Sequence, residues 1–139
     1  MPKTQPRTME PSDFEVNQTW LAYRINQTPI RVGGTATDLY VLQDAASMFL
    51  FGHALAAPGA DGPEPAEVEA LLESAFDKGK SWPSELVMPG VHRAGSTFFK
   101  AAQQRDIAIR SVPESQLSLY IKDTQEGYEE FLSRGENEA

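Results

Sequence analysis

The sequence predicts one α/β domain built on a mixed sheet, with three antiparallel strands followed by βαβ-type parallel strands and helices on the faces. Three observations predict it. A period-two alternation at Trp20 to Ile25 and two runs rich in Leu, Val, Tyr and Phe occupy the first half, helical stripes of period 3.6 begin only after Pro65, and short apolar runs separate those stripes. At 139 residues and 40% hydrophobic, the chain has enough apolar surface for one core without staples.

Residues 1–13 are polar and proline-rich, which predicts a disordered N-terminal arm ahead of a domain over 14–134. Trp20 to Ile25 alternates as a half-buried strand. Thr28-Pro29 and Gly33-Gly34 punctuate a wide hairpin in which Ile30 to Val32 pairs briefly. Leu39 to Asp44 and Met48 to Ala56 are rich in Leu, Val, Tyr and Phe and only three residues apart, so they read as the next two antiparallel strands.

The linker 58–65 then gives way to Val68, Leu71, Leu72, Ala75 and Phe76, one apolar face of a helix with Pro65 in its first turn and Gly79 as its stop. Glu85 to Met88 is a short buried strand, Ser96 to Gln104 a helix, and Ile107 to Val112 a second strand, which together imply a parallel pair. Leu117, Tyr120, Ile121, Thr124, Tyr128, Phe131 and Leu132 hold one helical stripe. Asp123 with Glu126 resembles a capping box, so a break into two helices is expected near Asp123. Residues 135–139 read as a frayed tail.

Composition removes several function classes. With no cysteine there is no disulfide, no thiolate metal site and no cysteine nucleophile. The formal net charge of -8 opposes binding to a polyanion, because affinity for nucleic acid comes largely from Lys and Arg on phosphates. No secretory leader and no apolar run long enough to span a bilayer is present, so the chain reads as cytoplasmic and away from membranes. Acidic side chains concentrate in 61–85 and from Glu114 onward, as solvated helix faces or as a surface for a protein partner.

The order of elements, with Trp20 on the first strand, Leu39-Tyr40-Val41-Leu42-Gln43-Asp44-Ala45-Ala46-Ser47 leading into Met48 to Leu55, and Glu85-Leu86-Val87-Met88 spaced before Phe98-Phe99 and Asp106-Ile107, resembles the retroviral-integrase-type catalytic core. That resemblance implies a ribonuclease H-like fold. It also implies three carboxylates that hold two divalent ions roughly 4 Å apart. This sequence departs from the pattern at two of the three. Tyr23 stands three residues after the strand's Trp, where the first acid belongs, and Met88, Pro89 and Gly90 occupy the end of the fourth strand, where the second belongs. Glu126, Glu129 or Glu130 would be the counterpart of the third. A phenol and a thioether do not hold a hard cation, so neither metal nor catalysis is expected.

Asp44 before Ala-Ala-Ser suits a turn cap better than a metal ligand. A relocated acidic cluster of Asp38, Asp44 and Glu126 is the enzyme alternative, as a metal-dependent nuclease or phosphoryl-transfer centre. His53 lies in an apolar strand and reads as a hydrogen-bonded ring rather than a base. His92, Arg93 and Ser96 precede a helix and form a candidate anion site, with helix capping by Ser96 or Thr97 the favoured role. Gly33-Gly34 lacks a P-loop or dinucleotide fingerprint, and Gly95-Ser96 is no nucleophile elbow, so no cofactor and no triad are expected. The favoured function is a non-catalytic module that binds a protein through acidic faces carrying Glu67, Glu69, Glu73, Glu126, Glu129 and Glu130. An acidic mimic of nucleic acid is a further alternative, and an open sheet edge leaves homodimer formation as an option.

Overall fold

The computed structural model describes residues 8–26, 30–32, 34–57, 63–89 and 97–128. Strands β1 (Thr19–Arg24), β2 (Ile30–Val32), β3 (Thr35–Asp44) and β4 (Leu50–Ala56) come first. Helix α1 (Pro65–Gly79), strand β5 (Glu85–Pro89), helix α2 (Thr97–Gln104), strand β6 (Ala108–Val112) and helix α3 (Ser118–Gly127) follow. The sheet runs β4-β3-β1-β5-β6, antiparallel across the first two junctions and parallel across the last two. β2 pairs with the outer half of β3, Ile30 opposite Thr37.

Alternation along β1 explains the layering. Trp20 and Ala22 join Tyr40, Leu42, Leu86 and Met88 against α1 and α2, while Leu21, Tyr23 and Ile25 join Leu39, Val41 and Val87 against α3. Since both faces are covered, five of the six β1 residues are buried. At roughly 25 cal/mol for each Å² of apolar area removed from water, these two layers supply most of the drive for folding. Gly52 admits α1 to the sheet, because a Cβ there would stand 2.9 Å from Leu71 Cδ1.

Four sequence expectations are corrected. The arm does not extend to Asp13: Met9 is buried in the α3-side core, its N–H bonds the Gln116 carbonyl at 2.8 Å, and Pro11–Asp13 form a 3₁₀ turn. The fourth strand begins at Leu50, since Met48 adopts φ 64° in the preceding turn. Helix α1 is stopped by Lys80 in the left-handed region, not by Gly79, whose missing Cβ instead makes room for the Asn17 amide. No break occurs at Asp123. Tyr120 and Thr124 are buried one turn apart on the same face, and that shared docking keeps α3 continuous to Gly127. The expected arm over residues 1–7, the linker 58–62, the turn at Gly33 and the tail 135–139 lie outside the described residues.

Candidate functional site

The resemblance places its chemistry where β1, the end of β5 and the last helix meet. Tyr23 occupies that place and is inaccessible to solvent. Its hydroxyl bonds Gln43 Oε1 at 2.6 Å and Thr124 Oγ1 at 2.7 Å, and the Tyr120 carbonyl lies 3.3 Å away. Gln43 passes the chain of bonds on, its Nε2 donating to the Met48 carbonyl at 2.9 Å. A second phenol, Tyr120, donates to the Ala45 carbonyl at 2.8 Å, and Gln125 Nε2 donates to the Ile25 carbonyl at 2.7 Å. Burial pushes the Tyr23 phenol well above its ordinary pKa, with the negative charge of Asp123 adding to the rise and the Thr124 bond opposing it. Burial likewise raises Tyr120, with Asp13 and Asp44 contributing.

At the first two positions of the expected acid set the described residues, Tyr23, Met88 and Pro89, are neutral. The β1–β5 register, with Leu21 opposite Val87, carries Tyr23 to the level of Pro89, and alternation turns Met88 toward α1 and α2 instead. Pro89 offers neither N–H nor side-chain donor. On α3 the residue that meets Tyr23 is Thr124, while Glu126 is exposed to solvent. Of the three expected counterparts of the third acid, Glu126 is the one within the described residues. Glu129 and Glu130 lie outside the described residues. A phenol that holds its proton, a threonine hydroxyl, an amide and a proline do not make a site for Mg²⁺, which takes carboxylates and water in octahedral geometry.

The relocated cluster does not assemble. Asp38 and Asp44 are six residues apart on β3, roughly 20 Å in extended chain, and Glu126 lies on the helix covering the other face. Asp38 accepts from Asn26 Nδ2 at 2.9 Å and sits 3.5 Å from Arg24. Asp44 is a turn cap: Oδ1 accepts from the Asn17 N–H at 2.7 Å, and Oδ2 accepts from the Ser47 N–H at 2.8 Å and its hydroxyl at 2.7 Å. Among the described residues no three His, Asp or Glu side chains gather where they could hold a metal ion. His53 stands on β4 with its ring against Tyr128, Nδ1 3.4 Å from the phenol oxygen. His92, Arg93 and Ser96 lie outside the described residues.

The acidic face of α1 is partly spent within the fold. Glu69 and Glu73 both pair with Arg105, the latter at 3.2 Å, and the Arg105 guanidinium stacks 5.3 Å from the Trp82 ring. Glu67 accepts from the Leu55 N–H at 3.3 Å, on the outer side of β4. Thr124 and Gln43 are the residues that sequence reasoning missed. A usable signal exists for Thr124, since a hydroxyl within an otherwise apolar helical stripe needs a buried partner.

This arrangement of strands and helices is an integrase-type ribonuclease H-like fold. The trimeric form of the HTLV-2 integrase catalytic core domain in complex with magnesium matches with a TM-score of 0.53 and 13% identity, over 85% of this chain and 70% of that one. A simian T-cell lymphotropic virus intasome in complex with the PP2A regulatory subunit B56 gamma matches with a TM-score of 0.52 and 18% identity, over 87% of this chain and 43% of that one. No family model and no curated protein matches the sequence. Among the described residues no helix is long and apolar enough to cross a membrane.

Proposed function

We propose that this chain is a non-catalytic interaction module, an integrase-like scaffold that binds a protein partner through its acidic helical faces. One observation carries the proposal: the buried Tyr23–Gln43–Thr124 hydrogen-bonded network fills the place where the fold's relatives would gather acids. Such a network fixes α3 on the sheet and leaves no open coordination position there. With Glu69 and Glu73 engaged by Arg105, the acidic surface offered to a partner shifts toward α3, where Asp123 and Glu126 are exposed. A similar assembly is in complex with a protein regulatory subunit, which is compatible with protein binding on this scaffold.

Two measurements test it. Titration with Mg²⁺ and Mn²⁺ should leave the thermal midpoint unchanged, whereas a saturable rise that disappears in Asp44→Asn would reinstate a metal enzyme. A protein captured from the native host should lose affinity for Asp123→Lys/Glu126→Lys. Undiminished binding to that variant would remove the acidic face from the proposal.

A further inference from the structure

At the opposite end of the sheet, beyond the start of β1, a groove of about 430 Å³ opens between the β3–β4 turn and the end of α1. Phe51 forms its floor, backed by the buried Trp20 ring at 5.1 Å, and Phe49 stands edge-on to Phe51 at 5.6 Å. Val16 is 73% exposed and Phe49 48%, a cost in apolar surface that a monomer has no structural reason to keep at adjoining positions. The walls are held firmly. Asn17 binds the Ser81 carbonyl and hydroxyl at 3.1 and 2.7 Å, accepts from the Trp20 indole at 2.8 Å and donates its N–H to Asp44.

The groove is formally neutral on a chain that is acidic as a whole. Among the described residues Asp44 is the one carboxylate lining it, and both its oxygens accept hydrogen bonds from Asn17 and Ser47. Among the described residues Lys78 is the one cation lining it, with its ammonium 5.8 Å from the Phe49 ring centroid. The groove thus offers an apolar floor with the Lys78 ammonium beside Phe49, while the Asp44 carboxylate is tied into the turn. A second copy of the chain would bring the same excess of negative charge against this one, which opposes self-association.

We propose that this groove receives a short segment of a partner protein in which an aliphatic or aromatic side chain is followed within a residue or two by a carboxylate. The apolar side chain lies on Phe51 between Val16 and Phe49, and the carboxylate pairs with Lys78. The proposal rests on the interaction-module reading and adds a second, largely apolar surface to it.

Fluorescence anisotropy with the intact chain tests it. The probe is a short fluorescein-labelled peptide with a central leucine-phenylalanine pair flanked by aspartates, and its control is the same peptide flanked by lysines. The aspartate probe should bind with an affinity that falls as salt rises, weaken about tenfold or more with Phe49→Ser, and weaken similarly with Lys78→Glu. Lys78→Glu should shift preference toward the lysine-flanked peptide. Equal binding of the two peptides, absence of binding, or binding unaffected by both substitutions would overturn the proposal. So would a concentration-dependent dimer in sedimentation that Phe49→Ser abolishes, because a second copy would then be the occupant. The metal titration and the α3 charge reversal are indifferent to these variants, so the groove can fail while the module reading stands.

Discussion

The two faces of the sheet are held by different physics. Against α1 and α2 the contact is apolar and aromatic, with Trp20 flanked by Phe51 and Trp82, Phe76 stacked 4.6 Å from Trp82, and Arg105 closing the edge. Against α3 the contact is threaded with buried polar groups, Tyr23, Gln43, Tyr120 and Thr124, each with a partner. Apolar packing tolerates exchange of shape at modest cost, whereas a buried hydrogen-bonded network fails badly when one member becomes charged. The difference teaches that the α3 side of the core draws its specificity from neutral, mutually bonded polar groups, and the α1–α2 side from shape.

Tyr23→Asp is the sharpest attempt to break this contrast and should have the largest effect. It buries a carboxylate too short to reach Gln43 or Thr124, with no cation beside it among the described residues, at a cost of about 5 kcal/mol in urea unfolding. Burial raises the pKa of that new carboxyl in the folded state, so its loss of stability should shrink as pH falls into the carboxylate range. Full stability at neutral pH would mean that the site admits water or ions.

Trp20→Ala on the other face should cost about 4 kcal/mol by leaving a cavity beneath Phe51. In contrast to Tyr23→Asp, its deficit should be independent of pH. Tyr23→Phe should cost about 2 kcal/mol, since Gln43 and the Thr124 hydroxyl lose a buried partner. The wild-type phenol has a folded pKa above its unfolded one. Its contribution to stability is present below the ordinary phenol range and lost as pH rises beyond it, so alkaline unfolding should be less steep in Tyr23→Phe.

Arg105→Ala has the smallest expected effect, about 1 kcal/mol or less, because Glu69 and Glu73 are substantially exposed. Its deficit should diminish with salt, and a deficit as large as that of Trp20→Ala would move the weight of this face from packing to charge.

Much of the architecture was legible in local pattern. Period-two alternation located β1, runs rich in Leu, Val, Tyr and Phe located β3 and β4, and the stripe from Val68 to Phe76 located α1, because all three reflect which side chains meet the core. Asp44 was legible as a turn cap, since its main partner Ser47 is three residues away. The meeting of Tyr23 with Thr124 was not legible, for the two are 101 residues apart and only the closed sheet brings them together. The stop at Lys80 and the turn of Asn17 escaped for a related reason. Both adopt positive φ, and at Asn17 the side chain that favours it is also held by Trp20 and by Ser81, the latter distant from any local pattern. Met9 was hidden among prolines, its burial decided by Gln116 far along the chain.

Manganese titration followed by NMR on labelled protein probes the centre of the sheet most directly. Surface acids such as Asp123 and Glu126 should show weak, diffuse paramagnetic broadening, while the amide signals of Tyr23, Met88 and Gln43 stay sharp. Selective, saturable loss of those three signals at low manganese would place a bound cation beside Tyr23 and contradict the inert-scaffold account.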